Sequence, residues 1–173
     1  MFLRLGDQII EFLGNGEKWG LSITISNEKT KMLGTGGGVF RALSYLGNEP
    51  FWLINSDIYS NYKINIEKKL IKESLGHLIL VSNPSHNILG DFRLDDELVG
   101  INLNTNPYTF SGMSVLSKKM FDGCTEEVFA LEPLLIEKVK EGKITGELTM
   151  ELFIDVGSKE RLRQVEKILR EDD

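Results

Sequence analysis

Cysteine, histidine and clusters of basic residues are scarce in this chain, and each scarcity argues against a class of protein. The single cysteine, Cys124, cannot form an internal disulfide, which favours a reducing, cytoplasmic setting. Two histidines and no His/Cys cluster disfavour a zinc site. The net charge is −6 and no run of lysine and arginine occurs, which argues against nucleic-acid binding. No apolar run is long enough to span a membrane.

The composition that remains is that of an ordinary globular protein, with 41% hydrophobic and 27% charged residues in 173 positions. Apolar runs and alternating patterns predict strands at 21–25, 51–54, 78–81 and 152–154. Helical spacing and glycine stops predict helices at 7–13, 38–46, 64–75, 130–141 and 158–170. Short strands and turns are expected from 91 to 115. This alternation predicts an α/β layered sheet, and the lack of a repeat or linker predicts a single domain over residues 1–173.

A glycine-rich segment follows the first predicted strand, with four glycines among the five residues from Gly34 to Gly38. It matches neither the Walker pattern nor the dinucleotide fingerprint, whose last glycine is replaced here by Val39. Glycines let a backbone approach a flat ring or a phosphate closely, and Thr35 can cap the helix that follows. A tight turn is the alternative. Four glycines exceed what a turn needs, so we interpret the segment as a ligand-binding loop.

Two aspartates, Asp57 and Asp155, each come just after a buried apolar run. Because open α/β sheets bind ligands at the carboxyl ends of their strands, these carboxylates are expected to lie at one edge. Together they suit one Mg²⁺, with phosphate oxygens filling the other coordination positions. The alternative for either aspartate is a helix cap or a turn.

The remaining reactive side chains carry no recognisable catalytic pattern. His77 and His86 have no serine or cysteine partner at a familiar spacing, so we interpret them as surface or capping histidines. Cys124 lacks a triad context and is interpreted as incidental.

Seven segments, taken in order along nearly the whole chain, resemble the sugar-1-phosphate nucleotidyltransferases. The resemblance is closest to the branch of the N-acetylmuramate-1-phosphate uridylyltransferases and mannose-1-phosphate guanylyltransferase-like proteins. Each segment alone is weak evidence for this family, and the resemblance depends on all seven occurring in order. The matching segments are 33–38, 55–57, 83–84, 90–92, 109–112, 146–148 and 154–158 with 160–162.

This resemblance implies a Rossmann-like nucleotidyltransferase fold, a mixed sheet flanked by helices, and substrates that are a nucleoside triphosphate (UTP or GTP) and a sugar-1-phosphate. It also implies roles for particular residues. The nucleobase would lie against Thr35, Gly36 and Gly37. Mg²⁺ would be held by Asp57 and Asp155. The sugar side would be lined by Gly90, Asp91, Ser111, Gly112 and Glu147. Ser56 departs from the pattern, which has glycine before the metal aspartate.

A larger departure lies at the front of the chain. The family begins with a strand, a glycine-rich loop that carries an arginine, and a lysine-containing stretch, which together wrap the triphosphate. Here Leu5–Ile10 already matches the helix after the second strand. The expectation is therefore an N-terminally truncated domain without its phosphate loop, weak or inactive by itself. The strand at 51–54 would gain an apolar edge through which the chain self-associates.

Two alternatives stay open beside a nucleotidyltransferase. One is a non-catalytic module that keeps the pocket for the base and the sugar. The other is a fragment that results from a wrongly assigned start codon. Arg41, Arg93 and Lys31 are the basic residues near the matched segments, and none of them matches a catalytic position of the family.

Overall fold

The computed structural model of the chain describes residues 3–28, 32–71 and 73–171. The chain divides into two compact units. Unit 1 comprises Met1–Gly47 and Gly123–Leu134, and unit 2 comprises Asn48–Asp122 and Leu135–Asp173. The single domain predicted over residues 1–173 stays a prediction, because two compact units can belong to one folding domain.

Helices and strands alternate along the described residues. The helices are α1 (Leu3–Leu13), α2 (Gly34–Ala42), α3 (Leu131–Lys140) and α4 (Lys159–Glu171). The strands are β1 (Phe51–Ile54), β2 (Ile58–Ser60), β3 (Gly76–Ser82), β4 (Arg93–Asp95), β5 (Leu98–Gly100), β6 (Tyr108–Leu116), β7 (Ile144–Leu148) and β8 (Phe153–Asp155). Within the described ranges, no helix has the length and apolar character needed to cross a bilayer.

Unit 2 is built on a mixed six-stranded sheet in the order β1-β6-β3-β7-β5-β4. Strand β3 pairs in parallel with β7, while its other neighbour, β6, is antiparallel. A separate two-stranded ladder joins β2 and β8 in antiparallel register. The predicted α/β class, with a mixed sheet flanked by helices, is confirmed.

The core of unit 2 lies around the central strand β3. Leu78, Ile79 and Leu80 are fully buried, as the continuous apolar run predicted. Strand β1 departs from that prediction, because it is half-buried at the edge of the sheet rather than enclosed on both faces.

Several predicted helices are confirmed. Helix α1 ends at Leu13, where Gly14 adopts a left-handed conformation and its amide donates to the carbonyl of Ile10. Helix α3 closely matches the predicted range. Helix α4 begins after Ser158, whose hydroxyl accepts from the amide of Arg161 at 3.2 Å and so caps the helix.

The strand predicted at residues 21–25 is wrong. This segment is irregular, and its amides form local bonds instead of a ladder: Leu21 donates to the carbonyl of Gly16, and Ile23 to that of Asn15. An alternating sequence pattern gives a strand only where a neighbouring strand supplies partners for the backbone.

The glycine-rich segment is also not the predicted loop. Helix α2 begins at Gly34, so Thr35, Gly36 and Gly37 form its first turn, and the helix ends at Ala42 instead of residue 46. The amides of Gly36 and Gly37 both donate to the carbonyl of Phe129, so this helix start is bonded within unit 1.

The helix predicted at residues 64–75 is wrong as well. The described residues of this segment form turns and irregular structure, and Ile64, Ile66 and Ile71 are exposed rather than packed on one face. Tertiary contacts on unit 2 replace the helical bonds. The indole of Trp52 donates to the carbonyl of Asn65 at 3.0 Å.

Glu147 on β7 anchors this segment to the sheet. Its carboxylate accepts from the hydroxyl of Tyr62 and the ammonium of Lys68, and it lies 3.3 Å from Nε2 of His77. The other nitrogen of His77, Nδ1, lies 2.9 Å from the hydroxyl of Thr145. His77 is therefore buried among polar partners, and the prediction of a surface or capping histidine is wrong for this residue.

Burial and the partners in this cluster shift two pKa values in ways that matter for stability. Burial, with the nearby positive charge of Lys68, lowers the pKa of His77 from its ordinary 6.5. Burial alone would raise the pKa of Glu147, but the bonds from Lys68 and Tyr62 more than offset it and hold that pKa below the ordinary 4.5.

We expect the stability of the protein to fall on acidification in two steps. For both groups the folded-state pKa lies below the unfolded value, so the unfolded chain takes up protons first. Stability associated with His77 is complete above pH 6.5 and declines below it, and that of Glu147 declines below pH 4.5. In urea unfolding between pH 4 and 8, H77Q should lack the first decline and keep the second. An H77Q protein that retains the full loss between pH 6.5 and 5 would contradict this assignment.

Candidate functional site

A small cavity in unit 2 lies where β1 ends and the β2–β8 ladder begins. Its volume is about 110 Å³. Two carboxylates and one imidazole line it together with apolar, amide and hydroxyl side chains. The lining residues are Asn55, Asp57, Ile58, His86, Thr109, Phe110, Ser111, Gly112, Phe153 and Asp155.

The β2–β8 ladder brings the two predicted metal aspartates together. Ile58 is paired with Asp155 in the register, and the amide of Val156 donates to the carbonyl of Asp57 at 2.7 Å. Asp57, just before β2, and Asp155, at the end of β8, therefore line the same cavity.

The end of β1 is fixed against β6 by a close backbone contact. The amide of Asn55 donates to the carbonyl of Gly112 at 2.9 Å. Gly112 has a φ of 79°, and a Cβ there would meet the Asn55 side chain within about 3 Å. Only glycine fits this position without strain, and it sets the wall of the cavity next to Asp57.

Asp155 has one well-bonded oxygen and one loosely held oxygen. Oδ1 accepts from the amide of Gly157 at 2.7 Å, which fixes the carboxylate. Oδ2 lies 3.3 Å from Nε2 of His86 and 3.4 Å from Nη2 of Arg161. Both separations exceed the 2.7–2.9 Å of a strong charge-assisted bond, so Oδ2 is held less firmly than Oδ1.

The donor chemistry of the cavity fits a hard divalent cation. Asp57 is exposed, and among the described residues no hydrogen bond or ion pair to its carboxylate is found. Asp57 and Oδ2 of Asp155 offer oxygen ligands of the kind that Mg²⁺ prefers. Across the described ranges, no group of three or more His, Cys, Asp or Glu side chains is arranged as a complete protein cage for a metal. Water or substrate oxygens would have to complete the shell of such an ion.

Two of the residues predicted to line the sugar side, Asp91 and Gly90, instead stabilise the backbone around the cavity. The carboxylate of Asp91 accepts from the side-chain amide of Asn87 and from the backbone amide of Phe110, both at 2.8 Å. Gly90 has a φ of 64° and lies so close to Asn83 that no side chain fits. Neither residue is among those that line the cavity.

The other three sugar-side residues differ in position. Ser111 and Gly112 line the cavity, but the hydroxyl of buried Ser111 donates to the carbonyl of Ile79 at 2.7 Å. Glu147 is not among the lining residues, because its carboxylate faces Tyr62 and Lys68.

The predicted nucleotide-binding residues lie in unit 1, in the first turn of α2. The hydroxyl of Thr35 accepts from the amide of Leu131 at 3.0 Å, so it caps α3 rather than the helix predicted to follow it. A Cβ on Gly36 would overlap the ring of Phe129, and one on Gly37 would overlap the carbonyl of Glu127. Close packing thus accounts for these glycines, and they remain a prediction as ligand residues.

Sequence reasoning missed two residues of the site, His86 and Arg161. His86 is at the surface, with a side chain 39% exposed, but its imidazole faces Asp155. Arg161 contacts both Asp155 and His86 from the first turn of α4. The sequence did indicate both regions, since His86 follows the matched segment Asn83–Pro84 and Arg161 lies in the matched segment after Asp155. Only pairing of distant segments made them neighbours.

Comparison with known proteins places these features in a family. No protein-family model matches the chain. The chain is 34% identical over 171 residues to the N-acetylmuramate alpha-1-phosphate uridylyltransferase of Neisseria meningitidis serogroup B, covering 95% of this chain and 74% of that protein. HddC from Yersinia pseudotuberculosis is 25% identical with a TM-score of 0.69, over 94% of this chain and 74% of that one.

A third likeness concerns the fold alone. A Bacillus anthracis protein assigned as a glucose-1-phosphate thymidylyltransferase superposes with a TM-score of 0.76 at 16% identity, over 95% of this chain and 72% of that one. The predicted resemblance is thereby confirmed. This chain belongs to the sugar-1-phosphate nucleotidyltransferase family, because 95% of its length aligns with the Neisseria uridylyltransferase at 34% identity.

Proposed function

We propose that this chain transfers a nucleotidyl group from UTP or GTP to a sugar-1-phosphate, giving a nucleotide sugar and pyrophosphate. An oxygen of the sugar phosphate attacks the α-phosphorus, and the bond from that phosphorus to the bridging oxygen breaks as pyrophosphate leaves with the electron pair. The observation that carries the proposal is the convergence of Asp57 and Asp155 on one cavity in a chain of this family.

In this proposal Asp57 and Asp155 hold Mg²⁺ at the cavity. When bound, the ion neutralises charge on the phosphate oxygens and helps to orient them for in-line attack. The protein contributes positioning. Gly157 fixes the carboxylate of Asp155, and the backbone bond between Asn55 and Gly112 fixes the segment that leads to Asp57. Phosphoryl transfer depends mainly on such positioning and on charge neutralisation.

The assignments of nucleobase and sugar contacts are part of the same proposal. Thr35, Gly36 and Gly37 in the first turn of α2 would contact the base. Gly112 would lie against the sugar phosphate from the wall of the cavity. Asp91 and Glu147 would act indirectly, because both carboxylates are already bonded to protein groups.

A non-catalytic binding module is the second candidate, and the size of the cavity favours it. About 110 Å³ is well below the roughly 300–1,000 Å³ of an ordinary small-molecule pocket. A cavity of that size suits one phosphate group better than two substrates held side by side for reaction. The two candidates differ in whether pyrophosphate is released.

We expect D57N and D155N each to reduce pyrophosphate release by about 100-fold or more, because each substitution removes one anionic ligand of the metal. The assay would use Mg²⁺, UTP or GTP, and a panel of sugar-1-phosphates. D7N provides a matched control, since Asp7 is exposed on α1 in unit 1 and should not affect the rate. Nucleotide binding without any pyrophosphate release from the unaltered protein would favour the non-catalytic candidate.

Self-association through β1 is a further part of the proposal. The two outer strands of the described sheet differ in character. Strand β4 carries Arg93 and Asp95, which form an ion pair and protect that edge. Strand β1 has the sequence Phe-Trp-Leu-Ile and no charge, so it offers an apolar edge for pairing with a second copy.

We expect the purified protein to have a mass above that of a 19.5 kDa monomer, measured by light scattering after size exclusion. I54K should weaken the association by about tenfold or more, because a lysine on an edge strand opposes strand pairing. I66K is the control, since Ile66 is 86% exposed but lies outside every strand. A monomeric wild-type protein, or equal weakening by both substitutions, would contradict this assignment.

A further inference from the structure

We infer that Arg161, oriented by His86, is the cation of this site that contacts phosphoryl oxygens of the substrate. The inference rests on the proposed function, because it adds a binding residue to the same cavity. Neither residue was among the candidates that sequence reasoning identified.

Arg161 is placed beside the cavity by the start of α4. The hydroxyl of Ser158 caps the helix by accepting from the amide of Arg161, and this first turn follows shortly after β8 in the chain. The guanidinium then lies with Nη1 3.0 Å from Nδ1 of His86 and Nη2 3.4 Å from Oδ2 of Asp155. The side chain is 27% exposed, so part of it stays accessible to a ligand.

His86 suits the role of orienting group. Because an arginine can only donate, Nδ1 of His86 must accept from Nη1, which places the ring proton on Nε2. Nε2 then faces Oδ2 of Asp155 as a donor. The imidazole therefore bridges the guanidinium and the carboxylate and limits the directions in which Arg161 can point.

The contacts of Arg161 leave its hydrogen-bonding capacity incompletely used. A guanidinium paired with a carboxylate usually makes two short parallel bonds. Here a single nitrogen reaches Asp155, at a distance longer than such bonds, and the buried Nε has no partner among the described residues. If Arg161 served only to neutralise Asp155, a bidentate pair would be expected. A phosphoryl group supplies the additional acceptor oxygens that the guanidinium lacks.

The charge of the proposed site leads to the same conclusion. The two aspartates and one divalent cation cancel, so a pyrophosphate or sugar-phosphate anion would enter with its charge unbalanced. When Asp155 and Asp57 bind a divalent cation, the negative charge of Asp155 is partly neutralised and attracts Arg161 less strongly. The guanidinium then favours a different anion as its partner. Arg161 is positioned to be that anion's partner beside Asp57 and Asp155.

The test compares R161Q with R163Q, an exposed arginine on the same helix. Binding of Mn²⁺ alone would be followed by electron paramagnetic resonance. Binding of inorganic pyrophosphate and of glucose-1-phosphate at saturating Mn²⁺ would be followed by calorimetry. We expect R161Q to bind one or both phosphate probes roughly 10- to 100-fold more weakly, the effect of losing a hydrogen bond to a charged group. Its affinity for Mn²⁺ alone should stay equal or rise, because a competing cation is gone.

The direction of the change in Mn²⁺ affinity distinguishes an arginine that contacts the phosphate from one that only positions Asp155. If Arg161 only held Asp155 in place, R161Q would lose Mn²⁺ and phosphate affinity together, and that result would overturn the inference. Unchanged affinity for both phosphate probes would overturn it too, as would a wild-type protein that binds neither probe. R161K, which keeps the charge, should recover part of the phosphate affinity, and R163Q should stay within about twofold of wild type.

The outcome is distinguishable from a failure of the proposed function. If R161Q weakens phosphate binding while the wild-type protein releases no pyrophosphate with any substrate pair, the reaction is wrong and the inference stands. If D57N abolishes turnover and R161Q leaves phosphate affinity unchanged, the reaction stands and the inference is wrong.

Discussion

The arrangement of the site depends on three residue pairs between two short strands. The β2–β8 ladder joins segments far apart in the sequence and sets Ile58 opposite Asp155. Because side chains alternate along a strand, a shift of one residue in this register would turn Asp155 away from the cavity. The ladder is short, so its geometry depends on the elements at either end. Strand β1 leads into β2, and the cap of α4 follows β8.

The six-stranded sheet makes that geometry reproducible. The central strand β3 is buried and binds β6 on one side and β7 on the other. The segment after β1 is in turn bonded to β6 through Asn55 and Gly112. The buried side chains of Ser111 and Asn106 form hydrogen bonds with the backbone of Ile79 and Asn102, as buried polar groups usually do. These bonds define the wall of the cavity, and Asp57 and Asp155 are the carboxylates that line it.

Asp155 combines a structural and a functional role on its two oxygens. One oxygen is fixed by the amide of Gly157, and the other faces the imidazole of His86 and the guanidinium of Arg161. The first oxygen therefore fixes the position of the carboxylate, while the second is held only by longer contacts. Glu147 shows the contrasting case. Its carboxylate is held by Tyr62 and Lys68 and stabilises a loop against the sheet. Asp155 and Glu147 are both acidic residues near strand ends, but their different neighbours give Asp155 a place in the cavity and Glu147 a structural role.

The sequence by itself determined the α/β class, the buried strand β3, helices α1, α3 and α4, and the family. These features depend on local patterns of apolar residues, on caps such as Ser158, and on short motifs read in order. Tertiary structure decided the rest. The segments at 21–25 and 64–75 have the patterns of a strand and a helix, but one lacks a ladder partner and the other is held by Trp52 and Glu147. The place of His86 and Arg161 beside Asp155 was likewise decided by pairing between distant segments, which no local pattern encodes.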